Sequence, residues 1–278
     1  MPLVASAEIL QAAKRAGRGI AAFNVIQIEH AEALVTGAQR AGAPVILQIS
    51  ENAAKYHGAL DPIALATLSI ARAATVPVVV HLDHATEEEL VARAIGLGFT
   101  SVMFDGSALD YDENVRITRE LAWRCREAGV WLEAELGEVG GKDGVHAPGV
   151  RTDPADAARF VAATEVNALA VAVGSSHAMT TRDASLDFDR IAELAAAVDV
   201  PLVLHGSSGV ADADITRAVA AGLTKINIAT HLNVTLTAAL RDYLVANPTV
   251  VDPRKYLGAG RAALADEAER LIEVISGR

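Results

Sequence analysis

The stretch Pro77-Val78-Val79-Val80-His81-Leu82-Asp83-His84 is an apolar segment that ends in groups able to do acid–base or metal chemistry. A short apolar run of this kind, without alternation, suits a parallel strand covered on both faces. Seven other stretches follow the same plan: Gly19–Val25, Pro44–Ser50, Thr100–Asp105, Val130–Gly137, Asn167–Gly174, Pro201–Gly206 and Thr224–Ala229. Several also finish on polar residues. Ser175-Ser176-His177 follows the sixth stretch, His205-Gly206-Ser207-Ser208-Gly209 the seventh, and Asn227-Ile228-Ala229-Thr230 the eighth.

Helical segments with recognisable punctuation separate these strands. Ser6, Asp61, Thr86 and Asp153 are expected N-caps, Pro62 and Pro154 fall at the first helical position, and Thr86 with Glu89 has capping-box spacing. Gly42, Gly98, Gly129 and Gly222 stand where a helix ends in a left-handed residue before the next strand. About eight strand–helix units imply a single-domain (β/α)8 TIM barrel over residues 1–278, with every strand C-terminus on one rim. A doubly wound sheet is the alternative, but no GxGxxG follows the first strand. Two long connections, Glu138–Thr152 and Ala178–Asp187, read as site-lining loops or lids.

The 278 residues are 51% hydrophobic and 21% charged, an ordinary globular composition. A net charge of −11 argues against nucleic acid or an anionic membrane as the main partner. It leaves room for a small phosphorylated ligand, because backbone amides and a metal can reverse the field locally. Cys125 is the single cysteine, so no intrachain disulfide can form. With no apolar leader and no apolar run near ~18 residues, a cytoplasmic location is expected.

His84, His177 and His205 lie just beyond strands three, six and seven. Three imidazoles with an open fourth position describe a catalytic zinc site, against the plainer reading of unrelated loop residues. His81 points to the same side as Asp83 and reads as a hydrogen-bonded interior histidine. His30, His57, His146 and His231 read as solvated loop or helix positions. Asp83 is placed to act as an acid or base, or to orient a metal-bound histidine. Glu133 and Glu135 share one face of strand five, where burial calls for a cation partner; Asp105 is a further rim carboxylate, and simple surface acids are the alternative. The loops after strands seven and eight are the recurrent phosphate site of this fold. None of the five lysines ends a strand on the rim, and Lys225 lies toward the opposite end of the barrel, which disfavours Schiff-base chemistry.

Beyond these readings, the chain resembles the class II, metal-dependent ketose-bisphosphate aldolases along nearly its whole length. The likeness rests on Ala22-Phe23-Asn24, the HLDH run, Met103-Phe104-Asp105-Gly106-Ser107 and Glu133-Ala134-Glu135-Leu136-Gly137. It continues through Thr152-Asp153-Pro154, the HGSSG loop, Lys225-Ile226-Asn227-Ile228-Ala229-Thr230 and Asp252-Pro253-Arg254. The resemblance implies zinc held by His84, His177 and His205, with Glu135 and Asp105 near it. Asp83 would exchange a proton at the bond being broken, and zinc would polarise the ketone. Gly206, Ser207, Ser208, Asn227, Ile228, Ala229 and Thr230 would hold the dihydroxyacetone phosphate end, and Asn24 and Ser50 would line the pocket. Arg254 resembles a residue that reaches the second phosphate from a neighbouring subunit. A homodimer or homotetramer and a monovalent cation (Na+ or K+) are further expectations, as is a place in glycolysis and carbohydrate metabolism.

Departures from the family pattern bear on substrate and rate. After Gly140-Gly141 the loop reads Lys142-Asp143-Gly144 in place of the usual glutamate pair or Glu-Asp, with Asp143 the candidate substitute. Ala178 replaces a glycine, and Thr180-Thr181 an aromatic–lysine pair. The expected reaction is reversible cleavage of fructose 1,6-bisphosphate to dihydroxyacetone phosphate and glyceraldehyde 3-phosphate. Tagatose bisphosphate, a deoxy-keto-sugar-acid phosphate, or ligand binding without turnover are the alternatives.

Overall fold

The computed structural model describes residues 2–136, 151–177 and 179–278. The strands are β1 (Ile20–Asn24), β2 (Val45–Ser50), β3 (Val78–Ala85), β4 (Ser101–Phe104), β5 (Trp131–Glu135), β6 (Ala168–Ala170), β7 (Leu202–Leu204) and β8 (Leu223–Ile228). They are parallel neighbours in chain order, and β1 pairs with β8 to close the barrel. The doubly wound alternative is thereby excluded. The helices are α1 (Ser6–Ala16), α2 (Ile28–Ala41), α3 (Glu51–Tyr56), α4 (Asp61–Ala73), α5 (Glu88–Leu97), α6 (Tyr111–Glu127), α7 (Pro154–Thr164), α8 (Phe188–Ala197), α9 (Asp212–Ala221), α10 (Thr230–Ala246) and α11 (Pro253–Ser276).

Strand alternation sorts the side chains into two populations. Ala21, Phe23, Val45, Leu47, Val78, Val80 and Leu82 pack outward, in one continuous core with the helices. Ile20, Ala22, Ile46, Val79, Trp131 and Val203 point into the barrel, where Ile9, Leu10 and Ala13 of α1 close its lower end. The same parity, carried up each strand, turns Asn24, Gln48, Ser50, His81, Asp83, Glu133 and Glu135 inward. The interior is therefore apolar below and polar above. That gradient places the chemistry at the strand C-termini.

The punctuation reads partly as expected. Gly42, Gly98, Gly129 and Gly222 all have positive φ, and the Asp153 carboxylate caps α7 by accepting from Ala155 and Asp156 N–H. Three expected caps are corrected. Ser6 is the first helical residue of α1, after Ala5 at the N-cap. Asp61 lies inside α4 and pairs with Arg93. Thr86 is not the cap of α5, which follows Glu87; its N–H and hydroxyl donate to the Glu51 carboxylate instead. For Asp61 and Thr86 a tertiary partner outcompeted the local turn, whereas the Ser6 hydroxyl is buried with no hydrogen-bond partner among the described residues. The long connection Glu138–Thr152 lies almost wholly outside the described residues, as do Lys142, Asp143 and His146, and Ala178 in the second connection.

Candidate active site

One feature of β3 allows neighbouring residues to serve one site. Asp83 and His84 are adjacent, so a regular strand would turn them to opposite faces. The pairing of β3 with β4 slips between Leu82 and Ala85, and His84 takes φ 50°, a left-handed backbone costly for a non-glycine residue. Through this bulge both side chains border the same cavity.

The cavity, about 180 Å³, is lined by Asn24, Gln48, Ser50, Asn52, Asp83, His84, His177, Gly206, Ser208, Asn227, Ala229 and Thr230. A second hollow of about 440 Å³ shares Ser50, Asn52, His84 and His177 with it and adds Glu51, Lys55, Thr86 and Asp105. At their junction, His84, His177 and His205 bring one ring nitrogen each within 4.8 Å of one another. His84, Asp105 and Glu135 form an overlapping group by the same measure. His84 Nδ1 lies 2.7 Å from Asp105 Oδ2, and His205 Nε2 lies 3.0 Å from Glu133 Oε1. Imidazoles anchored on one nitrogen by a carboxylate suit a divalent ion such as zinc on the other, so the donor set fits the metal.

Electrostatics reflect this crowding. Burial disfavours the charged form of His84, yet Asp83, the hydrogen-bonded Asp105 and Glu135 outweigh it and raise the imidazole to about 10. Burial, aided by the charge of Asp105, pushes Glu135 up to about 8. Desolvation at the crowded cluster and the neighbouring His84 bring His177 down to about 4 even though part of its ring is open to solvent, and burial with the same neighbour holds His205 well below its usual range. Asp105 is partly buried, but its bond with His84 keeps it well below the usual carboxylate range. Acid and base forms are thus divided unequally among closely packed groups, as at sites that hold ions or move protons.

Asp83 is held from one side only. Its Oδ2 accepts from Asn24 Nδ2 at 3.2 Å and Gln48 Nε2 at 3.4 Å, and Gln48 Nε2 also donates to Asn24 Oδ1 at 2.6 Å. Oδ1 is buried with no hydrogen-bond partner among the described residues. The same cavity is lined by the loop after β7 and the start of α10. Gly206 opens the turn there with φ 67°, and a Cβ on it would stand 2.6 Å from Ser176 O, so only glycine fits. Ser208 Oγ accepts from Ala229 N–H at 3.3 Å and His231 N–H at 3.2 Å, fastening the loop after β7 to the start of α10.

Of the substrate-side candidates, Asn24, Ser50, Gly206, Ser208, Asn227, Ala229 and Thr230 line the cavity. Ser207 Oγ turns away to donate to Leu204 O, and Ile228 is buried in the outer core. Arg254 is exposed, pairs with Asp252, and lies outside both hollows of its own chain. Gln48 and Asn52 were missed; the signal for Gln48 was a lone amide in an apolar strand, two residues before Ser50. The presumption that His30 is solvated is corrected: it is 2% exposed, with Nε2 3.3 Å from Asn233 Oδ1. His57 and His231 are also engaged, with Ile26 O and Glu267 respectively. His81 is the interior hydrogen-bonded residue expected, 2.7 Å from Ser101 Oγ.

Comparison with known proteins agrees with this geometry. Residues 4–278 match the family described as fructose-bisphosphate aldolase class-II. The chain belongs to the class II fructose-bisphosphate aldolase family. It is 38% identical over 281 residues to the fructose-bisphosphate aldolase of Staphylococcus aureus, covering 98% of this chain and 97% of the relative. It is also 38% identical over 270 residues to a Bacillus subtilis protein named "Probable fructose-bisphosphate aldolase", covering 96% and 95%. Among solved structures, the YdjI aldolase of Escherichia coli K12 superposes with a TM-score of 0.84 at 31% identity, covering 98% of this chain and 97% of that one. Membership makes this chain an aldolase, a lyase of a family that depends on a metal ion. No helix among the described residues is long and apolar enough to cross a membrane.

Proposed function

We propose that this aldolase, acting as one barrel domain over residues 1–278, reversibly cleaves fructose 1,6-bisphosphate into dihydroxyacetone phosphate and glyceraldehyde 3-phosphate. The observation that carries the reading is the convergence of three imidazoles, a half-satisfied carboxylate and an anion-sized loop on one cavity. His84, His177 and His205 would hold zinc, with Asp105 and Glu135 as neighbouring carboxylates. When bound there, the ion supplies Lewis-acid polarisation of the substrate ketone.

The chain's own groups do the rest. Asp83 Oδ1 takes the proton from the hydroxyl on the carbon that becomes the aldehyde as the adjacent carbon–carbon bond breaks. The bond's electron pair passes to the carbon next to the ketone, which takes up a proton from water to give dihydroxyacetone phosphate, and condensation reverses these transfers. Asn24 and Gln48 fix that carboxylate by holding its other oxygen. Gly206, Ser207, Ser208 and the segment Asn227, Ile228, Ala229 and Thr230 receive the phosphate of dihydroxyacetone phosphate. Their backbone N–H groups, together with the start of the 17-residue α10, favour an anion without a full positive charge. Ser50 and Asn52 border the passage to the second hollow, which has room for the aldehyde portion. Arg254 is taken to serve a neighbouring copy within a homodimer or homotetramer, and a monovalent cation, Na+ or K+, to accompany the phosphate.

The test is cleavage of fructose 1,6-bisphosphate by purified protein, with dihydroxyacetone phosphate as the measured product and tagatose 1,6-bisphosphate run in parallel. Cleavage sensitive to chelation and restored by zinc is expected. Faster turnover of the tagatose epimer would reassign the substrate. Binding of dihydroxyacetone phosphate without cleavage of either sugar would refute the reaction itself.

A further inference from the structure

Beneath the candidate metal centre the barrel holds a second polar layer that the chemistry above leaves unused. Lys225, Glu133, His81 and Ser101, from four different strands, are all at most 2% exposed. Lys225 was read from sequence as lying toward the far end of the barrel. Its ammonium in fact lies inside, 2.7 Å from Glu133 Oε2 and 3.3 Å from His81 Nε2. Glu133 Oε1 is in turn 3.0 Å from His205 Nε2, and His81 Nδ1 is 2.7 Å from Ser101 Oγ.

A lysine ammonium carries three donors and no acceptor, and this sets the polarity of both branches. On one side His81 accepts at Nε2, so its ring hydrogen sits on Nδ1 and is donated to Ser101. On the other side Glu133 accepts the Lys225 N–H at Oε2, leaving Oε1 to accept from His205 Nε2–H. His205 is then obliged to present a bare Nδ1, the nitrogen 3.6 Å from Glu135 Oε2 at the cluster. Resting on the metal-centre reading above, the geometry points to Lys225 as a positioning residue: acting through Glu133, it selects the tautomer and ring orientation with which His205 meets the metal.

The layer is expensive as mere filling. Two buried ions cost several kcal/mol in desolvation, and apolar side chains of similar volume could pack the barrel without that loss. The layer just below, with Ile46, Val79 and Val203, is packed in that way. Contact with a candidate ligand is what distinguishes the ionic layer. A carboxylate on the remote nitrogen of a metal-bound imidazole fixes the ring and raises its basicity, and loss of such a partner typically weakens metal binding ~10–100-fold.

The experiment combines histidine side-chain nitrogen NMR with cobalt titration. In metal-free wild-type protein, His205 is expected as the Nε2–H tautomer, with the Nδ1 resonance shifting when zinc is added. Lys225→Met is expected to keep its near-UV circular dichroism, mix the His205 tautomers, alter the visible cobalt spectrum and bind cobalt ~10–100-fold more weakly. Lys225→Met combined with Glu133→Gln should recover the tautomer, because the glutamine carbonyl accepts from His205 with no unpaired charge left behind. A wild-type His205 protonated at Nδ1 would overturn the inference, and this result needs no variant to fold. A folded Lys225→Met with wild-type tautomer and cobalt affinity would overturn it as well. Wild-type protein with no cobalt spectrum at all would instead remove the metal-centre reading beneath it.

Discussion

Replacing Asp83 by asparagine tests the proton-transfer assignment with little change of shape. The carboxamide oxygen can stay where Oδ2 now accepts from Asn24 at 3.2 Å and Gln48 at 3.4 Å. The amide nitrogen then occupies the position of Oδ1, the buried atom without a hydrogen-bond partner among the described residues. Packing and hydrogen bonds survive, and what disappears is a base at one point. General acid–base catalysis typically contributes ~10²–10⁴-fold, which at 1.36 kcal/mol per decade is about 3–5 kcal/mol of barrier. Asp83→Asn should therefore lose that factor in kcat, with KM changed only a few-fold and zinc content unchanged. Steady-state cleavage assays and metal analysis on one preparation give all three quantities. If kcat fell less than about tenfold, Asp83 would not be the proton carrier.

Gly206→Ala should leave the barrel folded but raise KM for the phosphorylated substrate: a left-handed alanine costs ~1–2 kcal/mol, and its Cβ meets Ser176 O at 2.6 Å, so the turn must shift. A melting temperature and KM both equal to wild type would contradict the close approach. Chelation should abolish cleavage and zinc should restore it, whereas borohydride with substrate should trap no adduct on Lys225, which is 1% exposed and bound to Glu133. Glu267 provides a pH test, because its bonds with Arg270 and His231 outweigh burial and lower it from 4.5 to about 2. A depressed carboxylate stabilises the fold above its unfolded pKa and loses that contribution as pH falls toward the folded value, so the window runs from about 4.5 down to about 2. Discounted for solvent screening, the contribution is about 1–2 kcal/mol. Urea unfolding should show Glu267→Gln less stable than wild type at pH 7 and nearly equal to it near pH 2, and an identical gap at both would exclude this linkage.

The barrel was legible because its strands are largely apolar runs and several of its helices end in glycine, signals written locally in the chain. All eight strands were found, though β6 stops at Ala170 where the apolar run continues to Val173. The run keeps its composition after the ladder ends, so hydrophobicity alone marks no boundary. Caps were less legible, since Thr86 faces both its own helix and the Glu51 carboxylate across the barrel wall, and only the fold shows which is nearer. The bulge at His84 was also hidden, because no residue type announces a left-handed histidine. Lys225 was read correctly as an early β8 residue, paired with Ile20 at the start of β1, but a strand position fixes only its Cα, and the long side chain carries its charge to Glu133 and His81.

The site also resolves an apparent conflict between a net charge of −11 and a phosphate ligand. Among the described residues, no lysine or arginine lines the cavity that holds Gly206, Ser208, Asn227 and Thr230. Among these residues, attraction comes from backbone N–H groups, neutral side chains and the α10 N-terminus, whose partial charges act within a turn's length and are little affected by the distant acidic surface. A cationic pocket at the same depth would sit against Asp83 and Glu135 and compete with the metal for them. Neutral donors avoid that competition. On the proposed reading, they would allow the phosphate and a divalent ion to share one cavity, each held by a different kind of group.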